Sequence, residues 1–161
     1  MVYFTREGTA NGEQIYMAVS NNNNPGSWTT VNNGQPVLSS TVGMKGVRDP
    51  SIIRSQDGKK YWIIATDLRV YPRGWDVGDD YTSNGSKGLV VWESSNLRTW
   101  SASQLRILHP AEKWLTGAGM DATVFRDPSS SIFYRFSKER TEQPRRASSR
   151  KHPERTLDRH S

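Results

Sequence analysis

The chain has no cysteine in 161 residues. That excludes disulfides and thiolate metal sites and leaves the redox compartment open. No apolar run approaches the roughly 20 residues of a membrane span, so no membrane partner is expected. The three histidines, His109, His152 and His160, lack metal-ligand spacing. No metal or other cofactor is expected. No Gly-rich phosphate loop and no serine nucleophile elbow occurs. No charged region followed by an apolar stretch opens the chain, so no signal peptide is visible. Met1-Val2-Tyr3-Phe4-Thr5 reads instead as a strand, and the domain is expected to start upstream of it.

Positive charge is scarce where a nucleic-acid surface would need it. The formal net charge is +6, but residues 138–161 hold eight Lys/Arg against four Asp/Glu. The remaining 137 residues are nearly balanced, at +2. No nucleic-acid partner is expected for the body of the chain. The tail has only Ala147 and Leu157 as apolar residues and reads as solvated or disordered. Weak polyanion binding through it would fall steeply with salt.

What is present is β-sequence. Short segments of β-branched and aromatic residues, bounded by turn residues, place strands at 2–5, 14–20, 51–55, 61–66, 89–93, 123–126 and 132–136. Almost nothing reads as helix. Asn21-Asn22-Asn23-Asn24-Pro25-Gly26 is a turn cluster, and Gln56-Asp57-Gly58-Lys59 is a hairpin turn. Asp127-Pro128-Ser129-Ser130 fills the same slot later in the chain. A long loop between Asp67 and Gly88, rich in Gly, Asp and Tyr, carries Trp75. Loops of that length in compact domains are often functional, although a plain surface excursion fits equally well.

The segments repeat. Asp49-Pro50-Ser51-Ile52-Ile53-Arg54 precedes Tyr61-Trp62-Ile63-Ile64-Ala65, and Asp121-Ala122-Thr123-Val124-Phe125-Arg126 precedes Phe133-Tyr134-Arg135-Phe136-Ser137. The copies align without a gap, 72 residues apart, and the same spacing separates Trp28 from Trp100. A long period built from short strands predicts an all-β, radial architecture, the β-propeller, with one repeat per blade. Trp28, Trp62, Trp92 and Trp100 fall at repeat positions and are expected to pack between blades.

About two blades fit in residues 1–137, whereas closure needs about four. The chain is therefore expected to be a fragment or to depend on partners. After Phe136 the pattern stops, and residues 138–161 resemble sequence not selected for this fold, as a shifted frame or retained intron would produce.

Each repeat sets a carboxylate just before a strand. Glycoside hydrolysis commonly uses two carboxyl groups with pKa values set apart by their surroundings. Asp49 lies between Arg48 and Pro50. The proline predicts an extended conformation for Asp49, and the arginine would favour its ionised form, as a general base requires. The plainer alternative is an Asp-Pro turn cap with no catalytic role. Arg48 and Asp67, at strand ends on the presumed axis side, are candidate substrate neighbours. Trp75 is a candidate sugar-stacking residue.

Three segments carry a family resemblance: Glu7-Gly8-Thr9-Ala10-Asn11-Gly12-Glu13-Gln14-Ile15-Tyr16, Gly46-Val47-Arg48-Asp49-Pro50-Ser51-Ile52-Ile53-Arg54 and Val91-Trp92-Glu93-Ser94-Ser95-Asn96-Leu97-Arg98-Thr99-Trp100. Over roughly residues 2–137 the chain resembles glycoside hydrolase family 43. The resemblance implies a five-bladed β-propeller and inverting hydrolysis of arabinofuranosyl or xylosyl linkages. It implies a carbohydrate partner of arabinan or arabinoxylan type and an extracellular location. Asp49 takes the place of the catalytic base. Asp121 takes that of the carboxylate that tunes the acid, although Gly119-Met120 stands where the family has Trp-Ala-Pro. No Glu matches the general acid. Glu139, Glu142 and Glu154 lie in the tail, and Glu93 belongs to the Ser-to-Trp repeat. The expected activity is therefore weak or absent, and the alternative is a non-catalytic carbohydrate-binding propeller fragment.

Overall fold

The structure of the chain, a computed structural model, describes residues 1–75, 81, 85–107, 120–126 and 133–138. The turn read at 127–130, the three histidines and residues 139–161 lie outside the described residues. Among the described residues nine strands are present: β1 (Val2–Tyr3), β2 (Tyr16–Ser20), β3 (Trp28–Thr30), β4 (Val47–Arg54), β5 (Tyr61–Asp67), β6 (Gly88–Ser94), β7 (Gln104–Ile107), β8 (Met120–Arg126) and β9 (Phe133–Lys138). Among the described residues there is no α-helix, only a single 3-10 turn at Asn32–Gly34. All pairing between the strands is antiparallel, in three open sheets ordered β1-β2-β3, β4-β5-β6-β7 and β8-β9. The second sheet is a four-stranded antiparallel meander, consistent with a partial propeller-like fold.

The meander's core follows from strand alternation. Ile63 and Ala65 of β5 and Val90 and Trp92 of β6 point to one face and are buried. They are cross-strand partners, Ile63 opposite Trp92 and Ala65 opposite Val90. Val47 and Ile15 complete the cluster, and Trp100 and Leu105 pack against it. The hairpin read at 56–59 is present. Gly58 supplies the positive φ, and Asp57 Oδ1 accepts from Ser55 Oγ and the Lys59 amide.

The 72-residue repeat survives at the level of register. In β4 and β5, Ser51 faces Ile64 and Arg54 faces Tyr61. In β8 and β9, Thr123 faces Phe136 and Arg126 faces Phe133, each position shifted by the same 72 residues. Both ladders also break at one place. Between Arg48 and Ser51 the register shifts, so Asp49 and Pro50 oppose the single residue Ala65. The shift between Met120 and Thr123 likewise sets Asp121 and Ala122 opposite Ser137. Each repeat therefore carries its Asp in a β-bulge.

Two sequence expectations are corrected. Asp49 is not extended, because its φ is +49°. Pro50 cannot donate to the ladder, and in a sheet proline is tolerated at edges or bulges. The bulge accommodates it by turning Asp49 into the left-handed region, which Asp tolerates better than most residues. Trp28 does not pack between sheets. It is 43% exposed, and its Nε1 donates to Pro25 O. Its strand β3 is an outer edge exposed along its whole length. Strands β3 and β7 are absent from the sequence reading for the same reason. An edge strand with little buried surface carries no apolar alternation to read.

Candidate active site

The bulge in β4 sets the site. Arg48 and Asp49 are adjacent there, and β8, which carries Asp121, lies against both β4 and β5. The two repeat carboxylates thus occupy matching bulges on neighbouring strands.

Arg48 is the hub of a cluster assembled from distant segments. Its Nη1 lies 3.2 Å from Glu7 Oε2 and 3.1 Å from Glu13 Oε1. Its guanidinium carbon sits 4.9 Å from the centre of the Phe4 ring and 5.0 Å from that of Trp75. Such cation–π contacts strengthen as the cation is desolvated, and the Arg48 side chain is only 15% exposed. Trp75 is locked further. Its Nε1 donates to Glu7 Oε1 at 2.8 Å, and its ring meets Tyr81 edge-on at 5.6 Å. It remains 44% exposed, so part of the indole is available to a ligand. The structure therefore joins Arg48 and Trp75, both read as substrate neighbours, in one wall beside Asp49.

Two carboxylates organise this wall, and the sequence reading gave neither a role. Glu13 is 2% exposed. Besides Arg48 it accepts hydrogen bonds from the Val70 and Tyr71 amides, at 2.9 Å each. It thereby ties the loop after β5 to β4. Glu7 is held below the ordinary glutamate value of 4.5, first by its own backbone amide, then by the Trp75 indole, with Arg48 adding attraction. The only available signal lay in the segment 7–16, where Glu13 and Gln14 immediately precede the apolar Ile15-Tyr16.

Asp67 occupies a different place. It faces Val47 across the ladder, is 2% exposed, and accepts from the Met44 amide through Oδ1 at 2.8 Å. Gly43, at φ +58°, passes so close that a Cβ there would come within 2.2 Å of the Asp67 carboxylate. Asp67 thus braces the loop leading into β4. Glu93 stands on the outer face, paired with Lys60 at 2.7 Å and accepting from Trp62 Nε1 at 3.1 Å. Lys60 first, then Trp62, lowers its pKa. Among the described residues, no three His, Asp or Glu side chains cluster closely enough to hold a metal ion.

The chemistry available is that of a half-buried aspartate on a strained bulge, walled by a clamped arginine and a partly exposed tryptophan. Non-glycine residues in the left-handed region concentrate at functional sites.

The chain is 38% identical over 98 residues to an α-L-arabinofuranosidase of Bifidobacterium longum subsp. longum. That match takes in 60% of this chain but only 9% of the relative's length. No solved structure matches the chain. A family described as a probable glycosyl hydrolase domain, related to glycoside hydrolase family 43, matches residues 1–119. With that match over most of its length, the chain belongs to this family of glycosyl hydrolase-like domains.

Proposed function

We propose that the chain is part of a β-propeller glycoside hydrolase in which Asp49 is the general base of an inverting hydrolysis. The substrates would be α-L-arabinofuranosyl or β-xylosyl linkages in arabinan or arabinoxylan, and the protein would act outside the cell. The observation that carries the reading is the bulge at Asp49, at φ +49°, repeated in register at Asp121. A bulge re-aims one side chain out of a ladder and is common beside active sites. In this reading Asp121 tunes the acid, and Arg48 and Trp75 contact the sugar.

Among the described residues, the glutamates Glu7, Glu13 and Glu93 are poor general acids. A general acid must hold its proton near neutral pH. Glu7 and Glu93 are both shifted the opposite way, and Glu13 is committed to Arg48 and two backbone amides. The absence of acid assistance costs about 10²–10⁴-fold in rate. That observation favours the second reading, a carbohydrate-binding propeller unit, for the chain acting alone.

Leaving-group dependence separates the readings. Hydrolysis of a dinitrophenyl α-L-arabinofuranoside, whose leaving group needs no proton, should be detectable in the chain and lost in Asp49→Asn. Arabinoxylan oligosaccharides should bind with little or no turnover. Efficient hydrolysis of the oligosaccharides would overturn the missing acid. Activity unchanged in Asp49→Asn would overturn the base. Neither binding nor turnover of any arabinoside would overturn the carbohydrate reading.

A further inference from the structure

A second concave site lies beside the Arg48 cluster. It has a volume of about 360 Å³ and is lined by Asn11, Gln14, Ser40, Thr41, Lys45 and Arg69, with Ala10 and Ser39 completing its wall. It shares the 10–14 segment with that cluster, since Glu13 binds Arg48 and its neighbour Gln14 lines the pocket. Lys45 lies on the loop leading to Asp49, four residues before it.

The pocket has a definite electrostatic character. Its lining holds two cations and no carboxylate. Arg69 is fixed by three backbone carbonyls, donating to Tyr71 O at 3.2 Å, Lys45 O at 3.0 Å and Ala10 O at 3.5 Å. Carbonyls orient a guanidinium without cancelling its charge. Among the described residues, Lys45 forms no ion pair with a carboxylate. The contrast with Arg48, whose charge is met by Glu7 and Glu13, is direct. The floor is rigid. Gln14 is 5% exposed, donates to Lys45 O at 3.1 Å and accepts from the Ser40 amide at 2.9 Å. Around the cations stand hydroxyls and an amide, the groups that hydrogen-bond sugar hydroxyls.

We infer that this pocket is a subsite for a uronic acid unit of the polysaccharide, with Lys45 and Arg69 facing its carboxylate. A uronate combines the two chemistries the lining offers, one anionic group and several hydroxyls, and its pyranose ring fits the volume. The inference rests on the carbohydrate reading above and narrows its substrate to acidic, uronate-bearing chains. A charge-assisted hydrogen bond is worth about twice a neutral one. At an open site this corresponds to an affinity gain of about tenfold over the neutral oligosaccharide.

The test is calorimetry on the full chain with two probes, a neutral arabinoxylan oligosaccharide and the same backbone bearing a glucuronate branch. The branched probe should bind about tenfold more tightly at low salt, with the ratio shrinking as salt is added. Lys45→Asn should shrink that ratio, with Arg69 retaining part of the attraction. Lys45 has φ +60°, and asparagine tolerates that region, so the variant should fold. Circular dichroism checks this, and Lys45→Arg should retain the preference. Equal affinity for both probes in the wild type overturns the subsite and leaves the carbohydrate reading intact. A preference undiminished in Lys45→Asn overturns the role of Lys45 and this assignment. Binding of the branched probe alone supports the subsite and overturns the neutral-substrate reading. No binding of either probe overturns both.

Discussion

At the scale of single residues, the charge of Arg48 decides the local design. A guanidinium 15% exposed must be paired or stacked. Here it is both, between Glu7 and Glu13 and between the rings of Phe4 and Trp75. The sequence reading set that charge beside Asp49; the structure adds two glutamates far away in the chain as its partners. Glu7 gives this arrangement a pH signature. Its pKa is lowered in the folded protein, by its backbone amide and Trp75 ahead of Arg48. Its stabilising contribution is therefore present above the unfolded value of about 4.5 and lost as pH falls through the lower folded value. The gap in melting temperature between wild type and Glu7→Gln should be full near neutral pH and close below about pH 4.5. Because Glu7 is one-third exposed, the gap should also shrink with salt. A gap constant from pH 7 to pH 3 would show that Glu7 acts by packing alone.

At the scale of elements, the bulge in β4 separates catalytic from conformational demands. Asp49 holds φ +49°, a region that costs an ordinary L-residue roughly 1–2 kcal/mol and Asp or Asn less. Asp49→Asn should therefore leave the melting temperature nearly unchanged. Asp49→Ala should lower stability by about 1 kcal/mol, read as a fall of about 4 °C or less for a chain of this size. Thermal denaturation of the pair checks this. Equal destabilisation by both would show that the carboxylate charge, not the backbone, holds the bulge. The bulge itself was half legible. The motif Asp49-Pro50 announced an interruption, because proline breaks a ladder. Its form was not, since a bulge is defined by the opposing strand, where Ala65 alone stands across from two residues.

At the scale of the whole molecule, three open sheets leave edges. Among the described residues, β3 pairs only with β2, and β7 only with β6. Ile107 on β7 is 59% exposed, and Trp28 on β3 is 43% exposed. Unpaired edges with apolar side chains template association. The chain studied alone should associate with rising concentration in sedimentation velocity, and Ile107→Lys should weaken that association. A monomer at every concentration would show that the edges are protected.

The sequence by itself determined the repeat. Its 72-residue period, the strands at each copy, the 56–59 turn and the equivalence of Asp49 with Asp121 all rest on local patterns of alternation and turn chemistry. Such patterns are properties of a few adjacent residues, so they can be read in one dimension. Tertiary structure alone decided the site. Glu7 and Trp75 are 68 positions apart, and Glu13 and Val70 are 57 apart, yet each pair meets at 2.8 to 2.9 Å. No local pattern encodes which loop reaches which strand. That choice falls to the burial of Glu13 and Arg48, because a charge removed from water must find its partner wherever the fold brings one.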